Sequence, residues 1–393
     1  MKPIRIAFIL PGLGRVQRGA ETAFLEVARC LASYPDIEVE LFGTGDETPD
    51  GITAHSVGYI SREKFEKWPS LPFFRNEYAY EELTFTWNLR RAGIYHPENF
   101  DATISCTFPH VHTFLNRRRK HGKPLNIFVT QNGDWMCRAK HREYRLFDCD
   151  GLVCINPEYH ERNKHNYPSA LIPNGTDPDF FTPHSTDSIP DEVRLNHNGP
   201  IVVMASAMIP SKRIDRAVEA VALVPDACLV VAGDGPDRNC IAAAAERLLR
   251  GRHRFLGSVK RHFMPHLFRQ ADVFLHMSQD EPFGIVYLEA GASGLPIVCH
   301  DSEISRWIMG NCAEFVDTTD AAAVAQKIET VLQPELGRQL GSAIRQRIIE
   351  DWSWAAQAAK YRDFIYQRLG NKSPDANVSQ NVSQPELASV NGD

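Results

Sequence analysis

Short apolar runs alternate along the chain with segments whose apolar residues recur at helical spacing. The first run, residues 4–10, has no polar alternation after Arg5, which is typical of a parallel strand covered on both faces. Further strands of the first half are predicted at residues 38–42, 102–106, 125–130, 151–155 and 170–172. Buried strands that alternate with helices predict an α/β protein with parallel, doubly wound sheets.

The second half repeats this rhythm more regularly. Strands are predicted at residues 201–205, 229–232, 273–275 and 297–299, and helices at 213–224, 238–249, 264–269, 284–293, 321–332, 335–350 and 354–369. We therefore expect two Rossmann-like domains, residues 1–178 and 200–353. The Pro-, Ser-, Thr- and Asp-rich segment 179–199 would be their linker. Residues 370–393, with few apolar side chains, predict a disordered tail.

Composition narrows the function classes. Hydrophobic residues make up 43% of the chain and charged residues 23%, an ordinary globular balance, and the formal net charge of -6 argues against a nucleic-acid partner. No apolar run approaches the ~18–20 residues that span a bilayer, and the run after Met1 is too short for a signal peptide, so we expect a cytoplasmic protein. The nine cysteines form no C-x-x-C pair, which indicates reduced thiols without disulfides or zinc.

A glycine loop follows the first predicted strand. Pro11-Gly12-Leu13-Gly14 ends that strand, and Arg18-Gly19-Ala20-Glu21 precedes a helical pattern. Strand, glycine loop and helix form the phosphate-binding unit of doubly wound folds. The third glycine is Gly19, and position 17 is Gln17, so the spacing departs from the dinucleotide fingerprint and argues against a dehydrogenase.

Two glutamates eight positions apart, Glu281 and Glu289, mark the densest candidate chemistry. Pro282 disfavours a helix at Glu281, and Gly284 permits close approach of the backbone to a ligand. A helix over residues 284–293 would begin there, so loop N–H groups and the first helical turn would form donors suited to a phosphate. Both carboxylates could then accept hydrogen bonds from sugar hydroxyls. The simpler alternative is an ordinary helix with surface glutamates.

This stretch resembles the E-x7-E signature of family 4 retaining glycosyltransferases, which use nucleotide-sugar donors and have the GT-B fold; it reads QDEPFGIVYLEAGASGLPIVCHD. The resemblance implies that Glu281 contacts the donor sugar as a catalytic residue and that Glu289 binds the ribose. It implies backbone contacts to sugar and phosphate at Phe283, Gly284, Ile285 and Val286. It also implies two domains facing across a cleft, with the helix at 354–369 crossing back to the first domain.

Weaker similarities extend this site. The loop at residues 18–21 is similar to the G-G-A-E loop of the family, which faces the donor, and this implies donor contacts at Gly14 and Gly19. The segment 257–260 resembles the loop whose backbone holds the nucleotide base, which places Val259 in the donor site.

Two cations are expected on the donor diphosphate, because the leaving group carries two negative charges. The family pattern has an Arg followed five positions later by a catalytic Lys. Lys212 fits that Lys, whereas Ala207 stands at the Arg position. Arg213, or Arg15 or Arg18 in the first domain, would supply the second contact. For Lys212 the alternative is a solvated lysine at a helix start.

The acceptor side offers less specific candidates. His110 is the candidate catalytic histidine and His112 a weaker one, although a histidine at a helix start is more often structural. Residues 59–87 are rich in aromatic side chains, which either fill the core or form a lip for a greasy acceptor. The basic run at 117–120 is either a solvated helix end or a contact with anionic lipid.

The resemblance implies transfer of a sugar, with retention of configuration, to a hydroxyl of a glycolipid, polysaccharide or small molecule. We expect no metal and no cofactor besides the donor, since the resemblance implies none. Peripheral contact with the inner face of a membrane is a further expectation. Two rivals stay open: a sugar-nucleotide epimerase of the same architecture, and a non-catalytic sugar-binding homologue.

Overall fold

The computed structural model describes residues 2–16, 18–45, 51–65, 67–71, 74, 76–137 and 145–371. The chain divides into two compact units: Met1–Asn174, which resumes at Trp354, and Gly175–Ser353. Residues 179–199, predicted as a linker, lie in the second unit, where Phe181 is fully buried near the ring of Phe268. The predicted tail lies outside the described residues beyond Asn371.

Over the described residues, the first unit is built on a seven-stranded parallel sheet of order β3-β2-β1-β4-β5-β6-β7. Its strands are β1 (Ile4–Ile9), β2 (Ile37–Gly43), β3 (Thr53–Ser56), β4 (Ala102–Ser105), β5 (Leu125–Val129), β6 (Gly151–Cys154) and β7 (Ser169–Leu171). Its helices are α1 (Gly19–Ala32), α2 (Glu77–Ala92), α3 (His110–Arg118), α4 (Pro157–Asn163) and α12 (Trp354–Arg368).

The second unit holds a six-stranded parallel sheet of order β10-β9-β8-β11-β12-β13. Its strands are β8 (Ile201–Ala205), β9 (Cys228–Ala232), β10 (His253–Gly257), β11 (Val273–His276), β12 (Ile297–His300) and β13 (Glu314–Val316). Its helices are α5 (Ile214–Ala222), α6 (Arg238–Leu249), α7 (Met264–Phe268), α8 (Ile285–Ala292), α9 (Glu303–Met309), α10 (Ala321–Val331) and α11 (Pro334–Asp351). The predicted α/β class, with two doubly wound sheets, is confirmed.

Three strands were missed by the hydrophobic pattern, and each forms an edge of its sheet. β3 borders the first sheet, and β10 and β13 border the second. An edge strand is half covered, so it carries polar residues such as His253 and Arg254 in β10. The strands between the edges, and the edge strand β7, hold enough apolar residues for the pattern to find them, despite polar residues such as Asn126 in β5.

The aromatic stretch at 59–87 contains α2, a helix that the aromatic composition did not predict. The Asn76 side chain caps this helix by accepting the Ala79 N–H at 3.1 Å, and Gly93 ends it in a left-handed conformation. Phe85 is fully buried, whereas Trp87 is 64% exposed. The aromatic side chains of this stretch therefore lie both in the core and on the surface. Phe73, which belongs to the same stretch, lies outside the described residues.

The last helix, α12, packs on α1 in the first unit. Asp36, just before β2, accepts hydrogen bonds from Arg362 at 2.9 Å and from the Tyr366 hydroxyl. Burial would raise the pKa of Asp36, but these two partners outweigh it and the pKa is lowered. The ionised Asp36 carboxylate therefore holds α12 against the start of β2.

Arg117 and Arg118 form the end of α3, and Arg119 and Lys120 follow it. Arg119 pairs with Asp150, and Arg118 lies over the ring of Phe114. Among the helices that the structure describes, none is long and apolar enough to cross a membrane.

Candidate functional site

The candidate site in the second unit lies where β8 and β11 run side by side. The chain leaves β8 for β9 and β10 and then returns to β11 on the other side of β8. Loops that follow two such strands diverge, and ligands of doubly wound sheets bind in the crevice between them. Lys212 follows β8 and Glu281 follows β11, so the topology brings together two residues that are far apart in sequence.

Glycines shape the loop that carries Lys212. Gly233 has φ of 151°, and a Cβ at this position would meet the Ser206 carbonyl oxygen at 1.9 Å. A Cβ at Gly235 would meet the Met208 oxygen at 2.3 Å. Both glycines are therefore required for close packing of the loop after β9 against the loop after β8.

Four side chains form a connected polar chain at this crevice. Lys212 Nζ donates to Glu281 Oε2 at 2.5 Å, and His276 Nε2 lies 3.4 Å from the same oxygen. The other ring nitrogen, Nδ1, lies 2.9 Å from the Tyr287 hydroxyl. His276 and Tyr287 are buried, while Lys212 retains partial exposure. Lys212 and Glu281 are therefore the two members of this group that a ligand can reach, and Lys212 is the cationic one.

Glu281 is held as a carboxylate. Burial would raise its pKa, but the hydrogen bond and charge of His276, together with the charge of Lys212, outweigh burial and lower the pKa to about 2. At neutral pH the group is an acceptor only, which suits a sugar hydroxyl.

The loop after Glu281 turns its backbone toward the first turn of α8. Phe283 is buried, with its ring 5.7 Å from that of Trp352 and 6.2 Å from that of Trp307. Gly284 has φ of 76°, which places it in the left-handed region. The helix begins at Ile285, so the N–H groups of Ile285 and Val286 belong to its first turn, where α-helices have no intrahelical partners for them.

Glu289 lies on α8 and pairs with an arginine that the sequence analysis did not identify. Arg261 donates to Glu289 Oε1, and its guanidinium carbon lies 5.2 Å from the ring centre of Phe181. Val259 lies in the same loop, two residues before this arginine. Neither Arg261 nor His276 belongs to a recognisable motif. The sequence signal that could have identified them is their position, since each is a polar residue at or just after the end of a parallel strand.

Arg213 does not extend freely from α5. Its backbone is left-handed, with φ of 54°, and its guanidinium donates to Thr318 Oγ1 at 3.3 Å. Thr318 in turn donates to the Met277 carbonyl at 3.1 Å, so Arg213 is anchored beside the loop after β11. Ala207 is exposed and supplies no charge.

The first unit contains a separate cavity of about 720 Å³ at the carboxyl ends of its strands. Backbone, acidic, basic, amide and aromatic groups line it: Leu10, Pro11, Arg18, Gly19, Ala20, Glu21, Arg62, Asn76, Tyr78, Ala79, Glu81, Glu82, Cys106, Thr107, Phe108, Pro109, Gln131, Asn132 and Trp135. Gly14 does not line this cavity. It has φ of 77°, in the left-handed region. A Cβ at Gly45 would overlap the Gly14 carbonyl oxygen, so the two loops pack closely at this point.

Carboxylates dominate the polar wall of the cavity. Arg18 Nη1 lies 3.5 Å from Glu21 Oε1 and 3.4 Å from Glu81 Oε1. Arg18, one of the alternatives for the second cation on the donor diphosphate, is thus paired with carboxylates of the first unit. Burial raises the pKa of Glu21 to about 7 despite the nearby Arg18 charge. Burial likewise raises the pKa of Glu82 to about 7, against hydrogen bonds that include the Val111 N–H at 2.8 Å.

The two candidate histidines fall at the start of α3, outside the cavity lining. The His110 ring stacks on Phe74 with centroids 5.3 Å apart. His112 is fully buried, and burial lowers its pKa to about 4. Its Nε2 accepts from Asn116 at 3.0 Å, so His112 is structural. Within the described ranges, no group of three or more His, Cys, Asp or Glu residues is arranged to hold a metal ion.

Residues 185–347 match the model of a protein family described as glycosyl transferases group 1. The matched segment contains the polar chain, Arg261 and Glu289, and it makes up most of the second unit. That unit therefore carries the sequence pattern of group 1 glycosyltransferases.

Curated relatives include two bacterial glycosyltransferases. The lipopolysaccharide core biosynthesis glycosyltransferase LpsE of Rhizobium meliloti is 34% identical over 214 residues, which are 52% of this chain and 59% of the relative. A GDP-mannose-dependent α-(1-6)-phosphatidylinositol monomannoside mannosyltransferase of Mycolicibacterium smegmatis is 28% identical over 220 residues, 51% of this chain and 58% of that protein. The alignments thus span just under three-fifths of the length of these relatives.

Similarity to solved structures extends over nearly the whole chain. A sucrose-phosphate synthase from Thermosynechococcus elongatus matches with a TM-score of 0.74 and 19% sequence identity, over 93% of this chain and 99% of that chain. At this identity the match concerns the fold. The chain has the GT-B fold, and its second unit is similar to group 1 glycosyltransferases.

The buried Glu82 generates a prediction for stability against pH. Its folded pKa of about 7 lies above the ordinary value of 4.5, so between these values the folded state keeps a proton that the unfolded state has lost. The free energy of unfolding should therefore fall as pH rises from about 4.5 to 7, by at most ~1.4 kcal/mol per pH unit from this group.

Glu82→Gln removes this titration and keeps an oxygen for the Val111 N–H. Relative to the wild type, the variant should gain stability steadily across that window and not above it, as measured by denaturant unfolding at several pH values. Glu335→Gln, at a side chain that is 92% exposed, is the control and should show no trend. A pH-independent difference for Glu82→Gln would contradict the assignment.

Proposed function

We propose that this chain is a retaining glycosyltransferase that moves a sugar from a nucleoside diphosphate sugar to a hydroxyl acceptor. The observation that carries the proposal is the Lys212–Glu281 pair at the switch point of the second sheet. One end of that pair is a cation for phosphate, and the other is a fixed carboxylate for sugar hydroxyls. The similarity of residues 185–347 to group 1 glycosyltransferases supports it.

In the proposed complex, the donor diphosphate replaces part of the contact between Lys212 and Glu281. Lys212 and the first-turn amides of α8 stabilise the charge that grows on the departing phosphate. Glu281, kept ionised by His276, accepts from hydroxyls of the donor sugar. Glu289 accepts from the ribose, and Arg261 orients it.

Retention is proposed to proceed by front-face attack, in which the leaving phosphate takes the proton of the acceptor hydroxyl. A double displacement needs a carboxylate nucleophile about 5–5.5 Å from an acid. Glu281 is poorly suited to that role, because its charge is already shared with Lys212 and His276.

The direct test is a mass-spectrometric screen of UDP-, GDP- and ADP-sugars with and without methyl glycoside acceptors. We expect slow hydrolysis of one donor, transfer when acceptor is present, and loss of both in Lys212→Ala. Lys327→Ala, a lysine of the same unit paired with Glu314, is the control and should be active. Epimerised donor without transfer would favour the epimerase alternative. No turnover of any donor would favour the non-catalytic one.

Arg213 is the proposed second cation. Its anchor on Thr318 holds it beside the loop that leads to Glu281, so it can act on phosphate without a large rearrangement. We expect Arg213→Ala to lower kcat at saturating donor by at least tenfold, comparable to Lys212→Ala, because such contacts strengthen in the transition state. Arg216→Ala, an exposed arginine on the same helix, should change kcat by less than about twofold. An equally silent Arg213→Ala would remove Arg213 from the site.

The acceptor is proposed to be lipid-linked, and the first unit to touch the membrane that carries it. Trp68, Leu71 and Trp87 are 57%, 50% and 64% exposed, an unusual group of apolar surface side chains within one short stretch. Arg117, Arg118 and Lys120 are exposed cations of the same unit. The named acceptor class of the mannosyltransferase relative, a phosphatidylinositol mannoside, supports this choice.

Vesicle co-sedimentation measures this contact. Anionic vesicles should bind the protein at low salt and release it as salt rises, since each basic residue near the surface contributes about 1 kcal/mol. Trp68→Ala with Leu71→Ala should weaken binding severalfold, and Leu223→Ala, also 57% exposed but in the second unit, should not. If the protein does not co-sediment with anionic vesicles at low salt, the result contradicts the membrane contact and favours a soluble acceptor.

A further inference from the structure

A buried carboxylate oxygen in the wall of the first-unit cavity has no hydrogen-bond donor among the described residues. Glu21 is 4% exposed, and among the described residues its Oε2 has no hydrogen-bond partner. Its other oxygen, Oε1, faces Arg18 at 3.5 Å and would lie 3.0 Å from a Cβ at Gly12. A buried carboxylate oxygen without a donor is costly, so a ligand donor at this position would relieve the cost.

The charges around the cavity oppose an anionic ligand. Three carboxylates, those of Glu21, Glu81 and Glu82, line it beside two guanidinium groups. The Arg18 charge is shared between Glu21 and Glu81, and Glu81 Oε2 also accepts the Arg62 N–H at 2.8 Å. The Arg62 guanidinium lies 4.5 Å from the ring centre of Tyr78. Phosphate or carboxylate placed here would meet acidic side chains, of which Glu21 and Glu82 have pKa values raised to about 7 by burial, and cations that are already engaged.

Aromatic and amide groups complete the wall. Trp135 is 39% exposed and meets Phe108 edge to face at 5.7 Å, so the indole is braced while part of its surface stays open. Gln131 and Asn132 add amide groups to the lining. The Gln131 amide pairs with Asn174 at 2.6 and 3.2 Å, and Asn132 Nδ2 donates to the Cys106 carbonyl at 3.4 Å. A volume of about 720 Å³ is within the usual range of small-molecule sites, about 300–1,000 Å³. An apolar ring face beside a carboxylate and amides fits a sugar, which has C–H faces and hydroxyl edges.

We propose that this cavity holds an uncharged sugar ring of the acceptor, with a hydroxyl of that ring donating to Glu21 Oε2, and that it excludes phosphorylated and carboxylated sugars. The inference rests on the proposed function, since it assigns the sugar to the acceptor. It names the acceptor class as a neutral terminal glycosyl group. Glu21 and Trp135 are then specificity-determining residues.

Saturation-transfer difference NMR on the full chain tests the site without any transfer reaction. The probes are methyl mannoside, methyl glucoside and methyl galactoside, set against mannose 6-phosphate, glucose 6-phosphate and glucuronic acid. At least one neutral glycoside should bind, and its charged counterpart should bind at least tenfold more weakly. Glu21→Gln and Trp135→Ala should each raise the dissociation constant of the bound glycoside at least tenfold.

Glu26→Gln is the matched control, because Glu26 lies on the same helix and pairs with Arg29 outside the cavity lining. Its affinity for the glycoside should equal that of the wild type. Two results would overturn the inference: tighter binding of the charged sugars, or neutral binding that is absent or unaffected by both Glu21→Gln and Trp135→Ala.

Binding of nucleoside diphosphates, measured on the same samples, separates this inference from the proposed function. If nucleotides bind and the sugar results are contrary, only the acceptor class is wrong. If nucleotides do not bind, the proposed function itself fails.

Discussion

The second unit depends on keeping one largely buried carboxylate charged. Glu281 is largely removed from water, and a carboxylate in that position would take up a proton unless cations and donors compensate. Lys212 and His276 do so from two strands that are neighbours in space and separated by two β-α units in the chain. The doubly wound topology is what brings these side chains together, and the Tyr287 hydroxyl holds the histidine in its orientation.

The same arrangement explains why the site needs small residues nearby. The loops after β8 and β9 pack backbone to backbone, and Gly233 and Gly235 leave room for carbonyl oxygens that any side chain would displace. Gly284 adopts a left-handed conformation and ends the loop where α8 begins. These constraints fix the direction of the first helical turn and thus of the amide groups proposed to meet phosphate.

Sequence reasoning found the residues whose local pattern is distinctive. Glu281, Gly284 and Glu289 lie within one short segment, and the predicted helix 284–293 differs from α8 by only one residue at each end. His276 and Arg261 were missed because each acts through a partner distant in sequence, and periodicity carries no information about such pairs. In the first unit, the aromatic composition concealed α2, so Glu81 and Glu82 were not recognised as part of a cavity.

Calorimetric titration of GDP, UDP and ADP tests most directly whether the second unit holds a nucleotide donor. We expect one nucleotide to bind the wild type. Glu289→Ala should weaken it at least tenfold, because a hydrogen bond to a charged group contributes about 1.5–3 kcal/mol. Glu289→Gln keeps an acceptor for Arg261 and so separates loss of the ribose contact from disturbance of the arginine. Its nucleotide affinity should lie between those of the wild type and Glu289→Ala. Absence of binding by all three nucleotides, or equal affinity in wild type and Glu289→Ala, would contradict the account.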